Sequence, residues 1–291
     1  MKRILLILIL TICTRSFSQD VAFTQSFMIP ESINPSFSGF YQTTKAGLLY
    51  KNQQWSGFNF NLNSQYIYFD DWYPNLNSGI GISLINHQET VTNYNLKQVN
   101  VSWAYDVQIN YDWHFRPSIS LGFGFKDYGF DNLLFEDQIN IYQNIINSNT
   151  FDPIVLNENS RYFDFGASFL FNNDYSWVGL TLRHLNRPNV SMVSQGDTPL
   201  DIFVSLHASL ELPVLNYNDD NSIFLITNFM MQGKYDRFDL GFQYVFDRFS
   251  LGLTATTNPI QTSEKSHFIT SINPVIGMAW EGFKFGYSYD F

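Results

Sequence analysis

Residues 98 to 115 read QVNVSWAYDVQINYDWHF, and their odd positions are Val99, Val101, Trp103, Tyr105, Val107, Ile109, Tyr111, Trp113 and Phe115. Between them stand Gln98, Asn100, Ser102, Ala104, Asp106, Gln108, Asn110, Asp112 and His114, so only Ala104 blurs the alternation. Side chains on a β-strand point to opposite faces with period two, and the stretch therefore predicts a strand with one aromatic face and one polar face. Uninterrupted, it would span about 60 Å at about 3.3 Å per residue. Soluble strands run to about ten residues and a tilted bilayer-crossing strand needs about nine to eleven, so the length points to a membrane barrel unless a turn falls between Asp112 and Pro117.

The same period recurs outward in both directions. Upstream, Ala46 to Lys51 begins the strands, Phe58, Phe60, Leu62, Tyr66 and Tyr68 alternate with Asn and Gln, and Ile80, Ile82 and Leu84 alternate with Gly and Ser. Downstream, Ile119 to Phe125, Phe163 to Phe171, Val178 to Leu182 and Leu200 to Leu212 repeat it, followed by Ile223 to Met231, Phe238 to Phe246, Phe249 to Ala255 and Phe268 to Met278. With the last strand, Phe283 to Phe291, thirteen are counted in this way. Single-chain bacterial barrels usually have an even number, so about 14 are expected, with 12 as the alternative. Tyr128 to Ser160 breaks the rhythm as a long polar connection, within which Ile139 to Ile146 forms either a short helix or a strand.

Composition narrows the class. Aromatic residues make up 18% of the 291 residues and charged ones only 14%, which suits a body with an aromatic exterior and a polar, mostly uncharged interior. A soluble sandwich core could absorb several of these aromatics, but the number of long strands favours interfacial girdles for Trp103, Trp113, Trp177 and Trp280. Past the leader, no apolar run is long enough for a spanning helix, and strands can cross a bilayer only as a closed barrel. The net charge of -10 argues against a nucleic-acid partner.

Lys2 and Arg3 precede an apolar run from Ile4 to Cys13, and Ser16-Phe17-Ser18 has the small-x-small form of a cleavage site. Residues 1–18 therefore read as a secretory signal peptide, 19–42 as an irregular N-terminal segment and 43–291 as the barrel. Lipidation at Cys13 is disfavoured because Ile12 stands where the processing enzyme requires a small side chain. Without Cys13 the mature chain has no cysteine, so disulfide and thiol chemistry are excluded.

No catalytic signature is present. The five histidines, His87, His114, His184, His207 and His267, have no metal-ligand spacing, and neither metal nor cofactor is expected. Asp201, Ser205, His207 and Ser209 fall on one strand face in a hydrolase-like set, but neighbours two apart splay side by side, and a polar lumen lining is favoured. His184-Leu185-Asn186-Arg187-Pro188 reads as a strand end running into a proline turn.

The last strand is Phe283, Phe285, Tyr287, Tyr289 and Phe291 alternating with Lys284, Gly286, Ser288 and Asp290. It resembles the C-terminal aromatic signal by which outer-membrane barrels are inserted. The mature chain as a whole resembles the PorP/SprF family of Bacteroidota outer-membrane proteins. Gln19-Asp20, Phe23, Gln25, Pro30, Asn34-Pro35 and Gly39 match its N-terminal signature, and Tyr50, Gln54 and Trp55 match its Tyr-Arg-x-Gln-Trp motif, with Lys51 in place of Arg. Gly79-Ile80-Gly81, Phe163 to Gly166, His184 with Pro188, and Tyr287, Tyr289 and Asp290 extend the match. Family members often carry a further segment after this strand.

The resemblance implies a non-enzymatic outer-membrane barrel of the type IX secretion and gliding machinery. Its implied partners are periplasmic ring components of that system, or a large surface protein with a C-terminal secretion signal. A channel for small hydrophobic or polar solutes is the alternative. Strand parity, with a periplasmic C-terminus, places Tyr128 to Ser160 and Asn186 to Pro199 in the periplasm.

Overall fold

The computed structural model describes residues 20–291 except 56–59, 91–92, 130–133, 141–142, 144, 148, 151–158, 192–195, 215–220 and 261–268. The signal peptide, Gln19, Phe58, His267 and Phe268 therefore lie outside the described residues. The first strands are β1 (Lys45–Trp55), β2 (Phe60–Tyr73), β3 (Ser78–Glu89), β4 (Asn95–Tyr105), β5 (Val107–Gln108) and β6 (His114–Asp127). A small hairpin of β7 (Ile139–Asn140) and β8 (Ile145–Ile146) follows, which makes the Ile139 to Ile146 segment strand rather than helix. Then come β9 (Asn159–Asn172), β10 (Ser176–Arg183), β11 (Phe203–Pro213), β12 (Ser222–Gln232), β13 (Tyr235–Phe246), β14 (Phe249–Thr257), β15 (Ser271–Trp280) and β16 (Phe283–Ser288).

All but β7 and β8 belong to one sheet of 14 strands. Thirteen of them run in sequence order from β1 to β16, each antiparallel to the next, and the short β5 pairs with β6 off that path. Such strict up-and-down order needs only local connections and leaves no crossover to cover.

The stretch from Gln98 to Phe115 is not one continuous strand. β4 ends at Tyr105, and Asn110 turns the chain by accepting the amides of Asp112 at 3.0 Å and Trp113 at 2.9 Å on its side-chain oxygen. An Asn that satisfies the backbone locally outcompetes the ladder. The alternation survives on both sides of the turn: Val99, Val101 and Trp103 are exposed, whereas Gln98 and Ala104 are buried.

Burial is inverted relative to a water-soluble core. Arg116, His184, His207, Asp70, Asn34, Asn273 and several serines are buried, while Phe123, Leu206, Phe242, Leu251, Ile276 and Phe285 are exposed. An exposed apolar surface of this extent belongs in hydrocarbon, where interior-facing positions turn polar. Tyr66 and Tyr68 depart from the expected face: they are buried against Phe23, and Ile67 and Phe69 supply the outer surface of β2. Trp177 is also displaced from the expected girdle. It faces inward, edge-on to Phe37 at 5.1 Å and to His207 at 5.6 Å, whereas Trp103, Trp113 and Trp280 are exposed.

Residues 20–40 run inside the wall as turns and two short 3-10 segments, Pro30–Ser32 and Pro35–Phe37, and the exposed residues 41–44 lead into β1. Pro at the first position of each fits its fixed φ and its missing amide donor. Strands from around the whole sheet touch this one segment, so the wall curves around it. Ser38 reaches Ser102 on β4, Ser36 reaches Ser118 on β6 and Ser168 on β9, Asn34 reaches His207 on β11, and Asp20 reaches Gln232 on β12. Lys51 on β1 and Asp290 beyond β16 meet across the ends of the sheet at 3.3 Å.

Candidate functional site, a plugged lumen

Asn34 and Pro35 begin the seat of the plug. The Asn34 side-chain oxygen accepts the Ser36 amide at 2.8 Å, and its amide nitrogen donates to the Phe169 carbonyl at 3.1 Å and lies 3.0 Å from His207 Nε2. One short side chain thus caps the 3-10 turn and ties it to two strands.

The wall then captures the backbone of the plug. Arg116 donates from Nε to the Ser36 carbonyl at 3.1 Å, from Nη2 to the Ser38 carbonyl at 2.8 Å and from Nη1 to Asp106 at 3.0 Å. Arg183 Nη2 donates to the Ser32 carbonyl at 2.6 Å and the Ile33 carbonyl at 3.0 Å, and the Tyr66 hydroxyl donates to the Glu31 carbonyl at 3.0 Å. Asp70 accepts the Gly39 amide at 2.6 Å. An irregular segment can sit inside a membrane barrel in this way because its polar groups are satisfied by the lumen.

Gly79 is where the wall must be thinnest. A Cβ there would collide with the Ser38 carbonyl, and neighbouring Gly39 has a positive φ of 65°. Gly79→Ala should therefore displace the Ser36 to Phe40 turn, at a cost of about 1–3 kcal/mol for overpacking, read as a lowered urea midpoint in detergent.

The front of the segment is latched by charge. Asp20 Oδ1 lies 2.8 Å from His184 Nε2, His184 Nδ1 lies 2.9 Å from Asp164 Oδ1, and Arg183 lies 3.5 Å from Asp20 Oδ2. Burial opposes the His184 imidazolium, but Asp20 and Asp164 prevail and raise its pKa to about 10. Burial likewise opposes the Asp20 carboxylate, and His184 and Arg183 hold it well below the usual carboxylate range.

The latch therefore contributes in full above the ordinary Asp value of 3.8 and below the ordinary His value of 6.5. Its contribution should fade as pH rises through about 10, and also as pH falls through the depressed Asp20 value. Protease protection of residues 20–42 should decline on the alkaline side, and His184→Ala should flatten that decline.

Among the described residues, a cavity lined by Tyr66, Tyr68, Asp70, Gln98, Asn100 and Asp164 among others has a volume of about 60 Å³, which holds a few waters at most.

The residues singled out in the sequence separate by place. Asp20, Phe23, Gln25, Pro30, Asn34, Pro35 and Gly39 lie on the plug, and His184 and Asp290 meet it from the wall. Tyr50 points outward and donates to Asn63 at 3.0 Å, Gln54 is exposed, and Trp55 is the last residue of β1. Pro188 sits in the turn after β10, its carbonyl accepting the Leu200 amide at 2.9 Å. Phe283, Phe285, Tyr287, Tyr289 and Phe291 are all exposed.

The hydrolase-like set comes together only in part. Contrary to the expected splay, Ser205 Oγ lies 3.1 Å from His207 Nδ1, because both side chains turn toward the same buried cluster, but His207 Nε2 is taken by Asn34, and Asp201 lies before β11 and pairs with Arg187 at 3.3 Å. Two anchors, Arg116 and Arg183, carry no motif that marks them in the sequence, whereas Asp164 falls within the Phe163 to Gly166 match. Their signal is scarcity: charged residues are few here, and one on the polar face of a spanning strand needs a partner.

A scan of protein families matches residues 15–291 to the model described as type IX secretion system membrane protein PorP/SprF. Among curated proteins there is no match. Of solved structures, a triple mutant of the Rh. blastica porin aligns over 85% of this chain and 98% of its own, at 9% identity and a TM-score of 0.30. With the family match covering all of the described chain, this protein belongs to the PorP/SprF family of type IX secretion system membrane proteins.

Proposed function

We propose that the protein is a non-enzymatic outer-membrane barrel that supports secretion or cell-surface anchoring of a partner polypeptide. The observation that carries this reading is the lumen: residues 20–40 fill it, Arg116, Arg183 and Asp70 hold their backbone, and Asn34 ties them to β9. A filled barrel offers a membrane-fixed scaffold rather than an aqueous path, which favours a protein partner over the alternative of a solute channel. The type IX context of the family supports the same choice. Ring components of that machinery on the periplasmic side, or one large surface protein, are the partners to be sought.

Mild-detergent purification of the tagged protein from its native membrane, with mass spectrometry of the co-purified chains, tests this. Ring components would make it a core member, and one large surface protein would make it a dedicated anchor. Recovery alone, together with steady solute flux through the intact barrel, would overturn the proposal in favour of the channel.

A further inference from the structure

The two ends of the sheet define a slot. Thirteen strands alternate direction from β1 to β16, so the two edges run the same way and cannot close as the antiparallel pair that the rest of the wall uses. Among the described residues they share no backbone pairing and do not pack as neighbouring strands. Yet Lys51 and Asp290 still touch at 3.3 Å through their side chains. A long lysine reaching an aspartate matches a gap of one missing strand, about 10 Å or twice the interstrand spacing.

The slot has a polar inner lining and an apolar outer rim. Behind it lie Thr24, bonded to Asp290 at 2.9 Å, and Gln25, bonded to Ser288 at 3.0 Å. Leu48, Tyr50, Phe285 and Tyr287 flank it on the outside. In hydrocarbon, open edges leave backbone donors and acceptors unpaired at a high cost for each group, so the slot has a strong demand for a strand.

We propose that this seam is a strand-acceptor site for an extended segment of a partner polypeptide, antiparallel to both β1 and β16. This rests on the reading of the protein as a secretion or anchoring component. The donor strand alternates apolar residues outward with small polar residues inward. It starts beside Lys51 and Asp290 and ends beside Lys45 and Phe283. Added in this way, one strand makes the wall even and wholly antiparallel, with main-chain bonds supplying affinity and the alternation supplying selectivity.

The test uses the intact protein in lipid nanodiscs and a synthetic ten-residue peptide alternating Val or Phe with Thr or Ser, with a scrambled peptide as control. The alternating peptide should slow amide exchange in both β1 and β16 by about tenfold or more, and the scrambled one should not. Protection of neither edge, or of one only, would overturn the proposal.

A Lys51→Cys, Asp290→Cys pair should not form a disulfide, which requires Cα atoms about 4.4–6.8 Å apart. Its quantitative formation would show a seam closed on itself and would equally overturn the proposal, as would a native polypeptide whose own residues beyond Phe291 fill the slot. Should a protein partner co-purify while the peptide fails, this inference falls and the functional reading stands. Should no partner be found while the peptide binds both edges, the seam accepts a strand but the functional reading falls, and the partner assignment falls with it.

Discussion

Removing residues 20–42 while keeping the leader should turn a plugged lumen into a conducting one. In planar bilayers the intact protein should show no steady ion current, and the deletion should raise it by at least about tenfold, toward the behaviour of water-filled barrels. The reason lies in what the segment occupies. Phe37 is 1% exposed and packs against Trp177 and Phe40, and Ser36 closes a triangle with Ser118 and Ser168 in the middle of the lumen. A milder variant guards against a folding defect: Asp20→Asn with Arg183→Gln keeps the segment but weakens its latch, and should give intermittent openings. Identical conductance in all three proteins would show that the segment does not gate the lumen.

Arg116→Met should produce the largest loss of stability among single substitutions in the wall. The guanidinium is 1% exposed and bridges two plug carbonyls to Asp106, so its removal strands the acceptors of the plug and a partly buried carboxylate. Breaking a buried ion pair by removing one partner costs about 3–5 kcal/mol. Arg116→Lys retains the charge but not the fork, and should recover only part of the loss. Urea titration in detergent, followed by the heat-dependent gel shift of folded barrels, reads both. A change below about 1 kcal/mol for Arg116→Met would place that site outside the range expected of a buried, hydrogen-bonded charge.

Much of the wall is legible because period two is written directly into the residue types. Val99, Val101 and Trp103 face outward as their alternation requires, and the expected 14 strands are those of the sheet, thirteen along the path from β1 to β16 and the short β5 beside β6. The aromatic residues of the last strand are exposed along its whole length. The turn inside the opening stretch is harder to read. Ile109, Tyr111 and Trp113 keep the apolar rhythm while Asn110 bends the chain, so periodicity and turn chemistry point in different directions.

Faces are misassigned from sequence where a residue has two valid homes. Tyr66, Tyr68 and Trp177 suit an interfacial girdle as well as a lumen, and the plug beneath them decides, by offering Phe23 and Phe37 as partners. The motif residues Asp20, Asn34, Pro35, Gly39 and His184 are visible as a pattern but not as an assembly. They are separated by up to 164 positions, as in the pairing of His184 with Asp20.

The sequence by itself therefore determined the class of wall, its alternating strands and its inside-out polarity, because a strand's two faces are specified by neighbours two residues apart. Only the tertiary structure decided that residues 20–40 fill the lumen, that Arg116 and Arg183 hold them there, and that β1 and β16 stand apart as parallel edges. These are contacts between distant parts of the chain, and no local period encodes a distance across a barrel.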